Sequence, residues 1–344
     1  MSSLPACRLQ YDVSLKALNT FGVEARAAVL ARVADIDALQ TVLAQNDCVN
    51  LPRLILGGGS NILFTRDFDG LVLLPEFRGM AITFEDRNLV RVRAGAGECW
   101  DALVRWSLAQ GLCGLENLAL IPGHVGAAPI QNIGAYGVEF AEVCAAVEIH
   151  DAALGTTRLL SREQCGFAYR HSIFKTPEAA NWIVTAVEIL LTRQAQLRLD
   201  YAGLREQLQA KNIVAPTASD MADAVTELRL RKLPNPALIG NAGSFFKNPI
   251  VPNTIAKQLQ LEHPTLPIWA TPDGHSKLSA AWLIERCGFK GFRDGDAGVS
   301  SQHALVLVNH GNASGAQIWA LAQRIQASVL QQLGVQLLPE PIVI

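Results

Sequence analysis

Three consecutive glycines, Gly57, Gly58 and Gly59, end an apolar run and precede Ser60 and Asn61 in the stretch LILGGGSN (54–61). Because glycine lets the backbone curl tightly, consecutive N–H groups in such a stretch can converge on an anion and form a binding nest. No Gly-Lys-Ser/Thr follows, so the stretch is not a Walker A phosphate loop. A tight turn between two strands explains the same residues, and both interpretations stay open.

Residues 121–137, IPGHVGAAPIQNIGAYG, form a second unusual stretch, called here the uncharged loop. It contains four glycines and two prolines but no Asp, Glu, Lys or Arg. This composition disfavours a helix or a strand, and the stretch is long for a connection, which usually has about 4 to 6 residues. Its bare backbone could lie flat against a large planar ligand, with Gln131 and Asn132 supplying polar contacts. A buried turn between core elements is the alternative.

A further glycine pair, Gly95 and Gly97 in VRVRAGAGECW, resembles the start of a dinucleotide-binding fingerprint. Trp100 occupies the position of the third glycine, where its indole would prevent the close helix–strand packing of a Rossmann unit. We therefore interpret this pair as structural and do not expect a nicotinamide-binding Rossmann domain.

The composition is that of a globular chain: 344 residues, 50% hydrophobic and 17% charged, enough for about two domains. A net charge of −2 gives no signature of nucleic-acid or membrane-surface binding. The N-terminal residues lack the basic start and apolar core of a signal peptide, and no apolar run reaches the ~18 residues of a membrane span. Seven cysteines without Cys-x-x-Cys spacing argue against a disulfide framework and a zinc site. We expect a cytoplasmic protein without a metal.

Short apolar runs predict strands, and longer amphipathic patterns between them predict helices. The predicted strands lie in RLILGG (53–58), GLVLLPE (70–76), NLVRVRAGAG (88–97), AAVEIHDA (145–152), WIVTAVEILL (182–191) and ALVLVN (304–309). The predicted helices lie in CWDALVRWSLAQG (99–111), TELRLRKL (226–233), KLSAAWLIERCG (277–288) and GAQIWALAQRIQASVLQQLG (315–334). Because no regular βαβ repeat appears, the pattern favours an α+β fold, and Pro234 and Pro236 predict a domain joint near residue 232.

Six stretches, taken together and in this order, resemble the UDP-N-acetylenolpyruvoylglucosamine reductase family. They are NTFG (19–22), LGGGSNIL (56–63), GLENLALIPGHVGAAPIQNIGAYG (114–137), FAYRHSIFK (167–175), GNAGSFFKNP (240–249) and LPEP (338–341). Each is weak by itself, but the six cover nearly the whole chain. Tyr201 in LDYAGL is similar to the tyrosine in the insertion of the family's long, type I form.

The resemblance implies an α+β FAD-binding fold of the PCMH or vanillyl-alcohol-oxidase type, followed by a C-terminal substrate-binding domain. The expected bounds are residues 1–231 for the FAD-binding region, with subdomains of about 1–78 and 79–231, and residues 232–344 for the C-terminal domain. The last strands of the C-terminal domain could return to the first subdomain. The residues expected to hold non-covalent FAD are Gly57, Gly58, Gly59, Ser60, Asn61, Pro122, Gly123, Gly126, Ala127, Ile130, Gln131, Gly134, Ala135, Gly137 and Arg229.

The resemblance also implies a reaction: reduction of UDP-N-acetylglucosamine enolpyruvate to UDP-N-acetylmuramate in peptidoglycan precursor synthesis, with NADPH as co-substrate. Hydride adds to the enolpyruvyl methylene carbon, and the electron density that flows into the adjacent carboxylate creates an enolate that fixed donors stabilise. Arg170 matches a carboxylate with its planar fork. Ser244, after Gly243, is expected to give a proton to the neighbouring carbon. Glu340 is expected to be buried between prolines, where burial raises its pKa and a nearby Arg170 lowers it; its neutral form would donate to the enolate.

Substrate contacts are implied for Tyr169, Tyr201, Lys232, Asn248, Lys277, Lys290 and His303, with Tyr201 as a lid over the nucleotide. Surface charges are the alternative for the individual lysines, and a core residue for Tyr169. The expected protein is a monomer that binds the enolpyruvyl sugar nucleotide and NADPH, but no nucleic acid or membrane. Two other classes stay open. One is an FAD-dependent oxidase of the same fold, with His124 as a candidate flavin attachment; the other is a nucleotide-sugar-binding protein without flavin.

Overall fold

The structure is a computed structural model and describes residues 8–201, 203–271 and 273–344. Residues 1–7 lie outside the described residues. They include Cys7 and the beginning of the stretch on which the expected absence of a signal peptide rests. Within these ranges, no helix has both the length and the apolar character needed to cross a membrane. No group of three or more His, Cys, Asp or Glu side chains in the same ranges is placed to hold a metal ion.

The strands are numbered in chain order. They are β1 Gln10–Ser14, β2 Arg26–Val33, β3 Arg53–Ile55, β4 Ile62–Leu63, β5 Phe68–Pro75, β6 Met80–Glu85, β7 Val90–Gly95, β8 Gly134–Ala135, β9 Val138–Glu139, β10 Cys144–Asp151, β11 Thr156–Ser161, β12 Trp182–Leu191, β13 Gly240–Ser244, β14 Ile250–Pro252, β15 Ile268–Ala270, β16 His275–Leu278, β17 Arg293–Asp294, β18 Ala297–Val299, β19 Val306–Asn309 and β20 Ile342–Val343. All six predicted strand segments overlap one of these strands, so those predictions are confirmed.

The helices agree with the predicted set and add to it. They are α1 Ile36–Leu43, α2 Trp100–Ala109, α3 Phe140–Val143, α4 Leu204–Ala210, α5 Ala218–Lys232, α6 Asn253–Glu262, α7 Ala280–Arg286 and α8 Gly315–Leu333, with 3-10 turns at Lys16–Leu18, Glu116–Leu118, Val125–Ala127, Ile173–Lys175 and Pro177–Ala179. The four predicted helices are confirmed. The last of them begins with a capping box of Ser314 and Gln317 and ends at Gly334, whose φ is +64°.

The first of two compact units contains the described residues up to Val13, Ala27–Gly58 and Asp69–Arg231. It holds a four-stranded sheet of order β1-β2-β5-β3 and a five-stranded antiparallel sheet of order β11-β10-β12-β7-β6. The central strand β12 is buried along most of its length, as expected for an apolar run covered on both faces. The uncharged loop meets this sheet where Gly126 donates to the carbonyl oxygen of Ala96, at 2.9 Å, just after β7.

Gly95, the last residue of β7, and Gly97 are structural, as predicted. A Cβ on Gly95 would lie 2.3 Å from the carbonyl oxygen of Phe77, and one on Gly97 would lie 2.6 Å from Cα of Glu76. Both distances are shorter than a Cβ atom tolerates. The obstructing atoms belong to the main chain, so they cannot move aside as the end of a flexible side chain could. These glycines let two backbone segments of the first unit touch, which requires no ligand.

The second unit contains Ser14–Arg26, Gly59–Phe68 and Lys232–Ile344. Its largest sheet has the order β13-β19-β18-β17, a second has the order β14-β16-β15, and β20 pairs in parallel with β4. Helix α8 packs against β18 and β19. The pairing of β20 with β4 brings the end of the chain beside the segment that follows the three consecutive glycines.

Candidate active site

In the first unit, the two glycine-rich stretches lie against each other. A Cβ on Gly58 would come within 2.9 Å of Cα of Gly123, so this contact requires a glycine at position 58. A Cβ on Gly57 would meet the Cβ atoms of Ala127 and His124 at an ordinary 3.7 Å. The structure therefore brings Gly57 and Gly58 to the start of the uncharged loop and leaves room above Gly57.

Gly59 belongs to the second unit and is required there for a different reason. Its φ is +62°, and a Cβ would lie 1.9 Å from the carbonyl oxygen of Leu18. Its own carbonyl oxygen accepts a hydrogen bond from the N–H of Thr20 at 3.0 Å. The tight turn that the sequence allowed is thus real.

The uncharged loop is ordered by turns. A 3-10 turn covers Val125–Ala127, and β8 and β9 form a hairpin joined by Tyr136 and Gly137, with φ of +50° and +80°. Positive φ at both central residues is typical of a type I′ turn, which matches the twist of a hairpin. The absence of charge fits a loop whose backbone, rather than its side chains, forms the surface.

Asn132 does not serve the expected role. Its side chain is only 1% exposed; its Nδ2 donates to Oε2 of Glu139 at 2.7 Å and to the carbonyl oxygen of Ala168 at 3.2 Å. Its Oδ1 accepts from the N–H of Ala141 at 2.8 Å. The expectation that Asn132 supplies a polar contact to a ligand is therefore wrong, because its amide holds the loop together. Gln131 is partly exposed and stays a predicted contact.

Arg170 occupies a backbone conformation that an arginine seldom adopts. Ala168 and His171 exchange two main-chain hydrogen bonds of 3.0 Å, which makes residues 168–171 a tight turn, called here the arginine turn. Arg170 is its third residue and has a φ of +51°, at a position that usually requires glycine. Such strain persists where the side chain is needed, so the backbone marks Arg170 as a functional candidate independently of any motif.

The side chain of Arg170 lies over the uncharged loop. Its Nη2 donates to the carbonyl oxygen of Gly134 at 3.0 Å, and its guanidinium carbon lies 5.5 Å from the ring centroid of Tyr169. Lys175 Nζ donates to the main-chain oxygen of Arg170 at 3.3 Å. The side chain is partly exposed, so the fixed guanidinium remains able to meet an anion.

Arg229, on α5, is the cation among the predicted FAD contacts. Burial lowers its pKa, while nearby Tyr136, Asp101 and Tyr201 raise it. Its Nε is buried and has no hydrogen-bond partner within the described part of the chain. A guanidinium whose buried Nε–H lacks an acceptor favours an anionic ligand that supplies one. Tyr201 packs on Tyr136 of the uncharged loop, with ring centroids 4.9 Å apart.

In the second unit, Ser244 and Glu340 are held by neighbouring backbone. Ser244 ends β13, directly after Gly243, whose φ is +67°. Glu340 donates its N–H to the carbonyl oxygen of Phe245 at 2.8 Å, and Nδ2 of Asn61 donates to the carbonyl oxygen of Glu340 at 3.4 Å. The expectation that Glu340 is buried is wrong, because the residue is partly exposed.

The predicted substrate residues of the second unit form one cluster and two separate positions. His303 is partly buried; burial lowers its pKa, and so do Lys232 and Lys290, whereas Glu285 raises it. Lys290 also forms an ion pair of 3.0 Å with Glu285. The structure therefore places Lys232 and Lys290 near enough to His303 to disfavour the protonation of its ring.

Lys277 and Asn248, the two separate positions, contact neighbouring residues of the second unit. Lys277 Nζ lies 5.8 Å from the ring centroid of Trp269 on the neighbouring strand β15. Oδ1 of Asn248 accepts the N–H of Ala280 at 3.0 Å, at the first residue of α7. This bond leaves the amide Nδ2 of Asn248 as the group that a substrate contact would use.

Comparison with known proteins defines first the class of this chain. Residues 27–161 match the family model described as "FAD binding domain". A solved structure of 6-hydroxy-D-nicotine oxidase from Arthrobacter nicotinovorans shares the fold, with a TM-score of 0.53 at 14% identity over 98% of this chain and 88% of that one. The chain is thus an α+β FAD-binding protein, and the predicted fold class and cofactor are confirmed.

The family follows from closer matches. Residues 235–344 match the model "UDP-N-acetylenolpyruvoylglucosamine reductase, C-terminal domain". Proteins named UDP-N-acetylenolpyruvoylglucosamine reductase are 50% identical in Pseudomonas aeruginosa, over 97% of this chain and 98% of that protein, and 51% identical in Xylella fastidiosa, over 96% and 95%. The crystal structure of the protein of that name from Thermus caldophilus is 28% identical, covers 98% of this chain and 99% of that one, and has a TM-score of 0.66. The chain belongs to the UDP-N-acetylenolpyruvoylglucosamine reductase family and is a flavin-dependent oxidoreductase, as predicted.

The residues present fit FAD. The close contact of Gly58 with Gly123, the room above Gly57 and the buried Nε of Arg229 together offer a bare backbone and a cation to an anionic, planar group. Ser172 was missed as a functional candidate, although it lies in the FAYRHSIFK stretch. Its signal is its complete burial, with Oγ donating to the carbonyl oxygen of Ile130 in the uncharged loop at 2.7 Å.

Proposed function

We propose that the chain reduces UDP-N-acetylglucosamine enolpyruvate to UDP-N-acetylmuramate in peptidoglycan precursor synthesis, with NADPH as the electron donor. The observation that carries the proposal is the arginine turn. A family reductase needs a fixed cation for the enolpyruvyl carboxylate. Arg170 adopts a left-handed backbone conformation, and its guanidinium donates a hydrogen bond to the carbonyl oxygen of Gly134. A cytoplasmic location and a monomeric state stay predictions.

Arg170 binds the carboxylate of the substrate in this proposal. A planar fork can hold two carboxylate oxygens at once, and it keeps its charge at every working pH. The chemistry that FAD would supply when bound is the transfer of a hydride equivalent from NADPH to the methylene carbon of the enolpyruvyl group. Arg170 is then already oriented toward the negative charge that grows on the carboxylate, so no reorganisation is needed at the moment of reaction.

Ser244 supplies the proton in the second half of the reaction. A serine hydroxyl is a weak acid, but an enolate carbon is a strong base, so correct placement matters more than acidity. Gly243 lets the chain bend immediately before Ser244, which allows a close approach to the carbon beside the carboxylate. Glu340, whose backbone is tied to Phe245, stabilises the enolate as a hydrogen-bond donor when it is protonated.

Gly57, Gly58 and the uncharged loop would hold the cofactor through main-chain N–H groups, with Arg229 as the cation nearest to its anionic part. Tyr169, Tyr201, Lys232, Asn248, Lys277, Lys290 and His303 would hold the sugar nucleotide. The lysines supply the positive potential that a diphosphate requires, and His303 would contribute a hydrogen bond. Arg170 belongs to the first unit, and Ser244 and Glu340 belong to the second.

A two-step anaerobic experiment tests the proposal. The purified protein should be yellow, NADPH alone should bleach it, and the enolpyruvyl sugar nucleotide should then restore the colour rapidly. Rapid recovery in air without the nucleotide would instead indicate an oxidase. A colourless protein that takes up no FAD would indicate a nucleotide-sugar-binding protein and would contradict the proposal.

A further inference from the structure

The uncharged loop and the arginine turn are joined by three hydrogen bonds in the first unit. Ser172 Oγ donates to the carbonyl oxygen of Ile130 at 2.7 Å, and Asn132 Nδ2 donates to the carbonyl oxygen of Ala168 at 3.2 Å. The third bond, of 3.0 Å, runs from Arg170 Nη2 to Gly134. Alternate residues of the loop are therefore tied to the start, the tip and the far side of the turn.

The two side chains that donate the first two of these hydrogen bonds are buried. Water could therefore not replace either bond if it were lost. Ser172 is 0% exposed and Asn132 is 1% exposed. Asn132 also adopts a φ of +48°, a left-handed conformation that asparagine tolerates better than most residues. Its amide joins Glu139, Ala141 and the arginine turn at one point. Both polar side chains are thus used to join the uncharged loop to the arginine turn, and they do not merely fill space in the core.

We propose that Asn132 and Ser172 are positioning residues for Arg170, which fix the arginine turn to the uncharged loop so that the guanidinium keeps one orientation toward the substrate carboxylate. This inference rests on the proposed function, in which Arg170 binds that carboxylate. One bond from the guanidinium to Gly134 cannot fix the side chain if the backbone of its turn moves. Ser172 and Asn132 hold the backbone on both sides of Arg170. They act only through Arg170 and touch no reacting atom.

The first test compares two buried serines. Ser172→Ala removes the bond to Ile130, whereas Ser107→Ala, on α2, removes a buried hydroxyl that has no hydrogen-bond partner in the described ranges. In Ser172→Ala, reoxidation of the reduced flavin by the enolpyruvyl nucleotide should slow by about 10- to 100-fold, because small errors of placement have effects of this size. Reduction by NADPH and FAD content should equal those of Ser107→Ala, whereas the thermal midpoint of Ser172→Ala should be somewhat lower, because only this variant loses a buried hydrogen bond. Equal reoxidation rates in the two variants would overturn the inference.

A double-mutant cycle separates positioning from a structural role. If Ser172 acts through Arg170, Ser172→Ala should slow reoxidation much less in an Arg170→Lys background, where the planar fork is already absent. The same fold loss in both backgrounds would show an independent role and would overturn the inference. The substrate KM and kcat should both change in Ser172→Ala but hardly change further in the double variant.

Asn132→Asp provides a second variant if Ser172→Ala does not retain FAD. Aspartate has the same shape and tolerates a left-handed backbone, but its carboxylate cannot donate to Ala168 or Glu139. Reoxidation should again slow, and a wild-type rate would overturn the inference. The wild-type protein distinguishes the two levels of the argument. If the nucleotide does not reoxidise the wild type, the proposed function fails; if it does and the variants react normally, only the positioning role fails.

Discussion

The main-chain N–H of Glu340 donates to the carbonyl oxygen of Phe245 at 2.8 Å, and Phe245 directly follows Ser244. Two further backbone contacts continue this alignment: Phe246 pairs with Pro339, and the N–H of Lys247 donates to Leu338 at 2.9 Å. The relative position of the backbones that carry the hydroxyl and the carboxyl group is therefore set by main-chain pairing, which does not depend on either side chain.

This independence makes Ser244 open to a clean test. Ser244→Ala should leave the reduction of FAD by NADPH unchanged and slow reoxidation by the enolpyruvyl nucleotide by about 10²- to 10⁴-fold, the usual contribution of a positioned acid. Ser244→Cys should recover part of the rate, because a thiol can also donate a proton. Stopped-flow absorbance of the flavin measures both half-reactions. An equal loss in both would reject the role of Ser244 as proton donor.

The strained backbone of Arg170 predicts an unusual order of stability. Arg170→Gly and Arg170→Ala lose the same guanidinium contacts, but only alanine keeps a Cβ at a φ of +51°. The glycine variant should therefore be the more stable by about 1 kcal/mol, the cost of a left-handed conformation for a residue with a Cβ. Urea unfolding of the two holoproteins measures the difference, and both should lack turnover. Greater stability of the alanine variant would contradict the strained turn.

Gly57 and Gly58 form a matched pair for separating structure from cofactor binding. A Cβ at Gly58 would meet Cα of Gly123 at 2.9 Å, while one at Gly57 has no neighbour closer than 3.7 Å. With FAD removed, Gly58→Ala should lower the free energy of unfolding by about 1–3 kcal/mol, as overpacking does, and Gly57→Ala should not lower it.

Titration with FAD completes that comparison. If the backbone at Gly57 faces the cofactor, its added methyl group should weaken FAD affinity without loss of stability. Unchanged affinity in Gly57→Ala would remove this residue from the cofactor site. Unchanged stability in Gly58→Ala would show that the two glycine-rich stretches can separate.

Features that depend on short segments were predictable, and those that depend on distant contacts were not. Trp100 at the third glycine position correctly excluded a Rossmann unit, because a single bulky side chain decides that packing. Asn132, by contrast, looks like a ligand contact in a glycine-rich loop. Its true partners, Glu139 and Ala168, are set by the folded turn, and the pairing of β20 with β4 joins segments separated by 279 residues at Asn61 and Glu340. No local pattern carries such information.

His303 provides a prediction about pH. Burial, followed by Lys232 and Lys290, lowers its pKa, and its Nδ1 accepts the N–H of Leu305 at 3.2 Å, so the neutral ring carries its proton on Nε2. The folded protein thus binds a proton at His303 less readily than the unfolded chain, whose histidines titrate near about 6.5. The stabilisation from neutral His303 is complete above that pH and is lost as the pH falls through the lowered pKa of the folded state.

His303→Gln keeps a polar, neutral side chain but cannot titrate. Its free energy of unfolding should therefore fall less than that of the wild type between about pH 7 and pH 5. Some decline should remain, because burial also lowers the pKa of His124, His150 and His310. Urea unfolding at several pH values gives the two slopes. Identical slopes would show that His303 can take up a proton in the folded protein at no cost, which is incompatible with a partly buried ring beside Lys232 and Lys290.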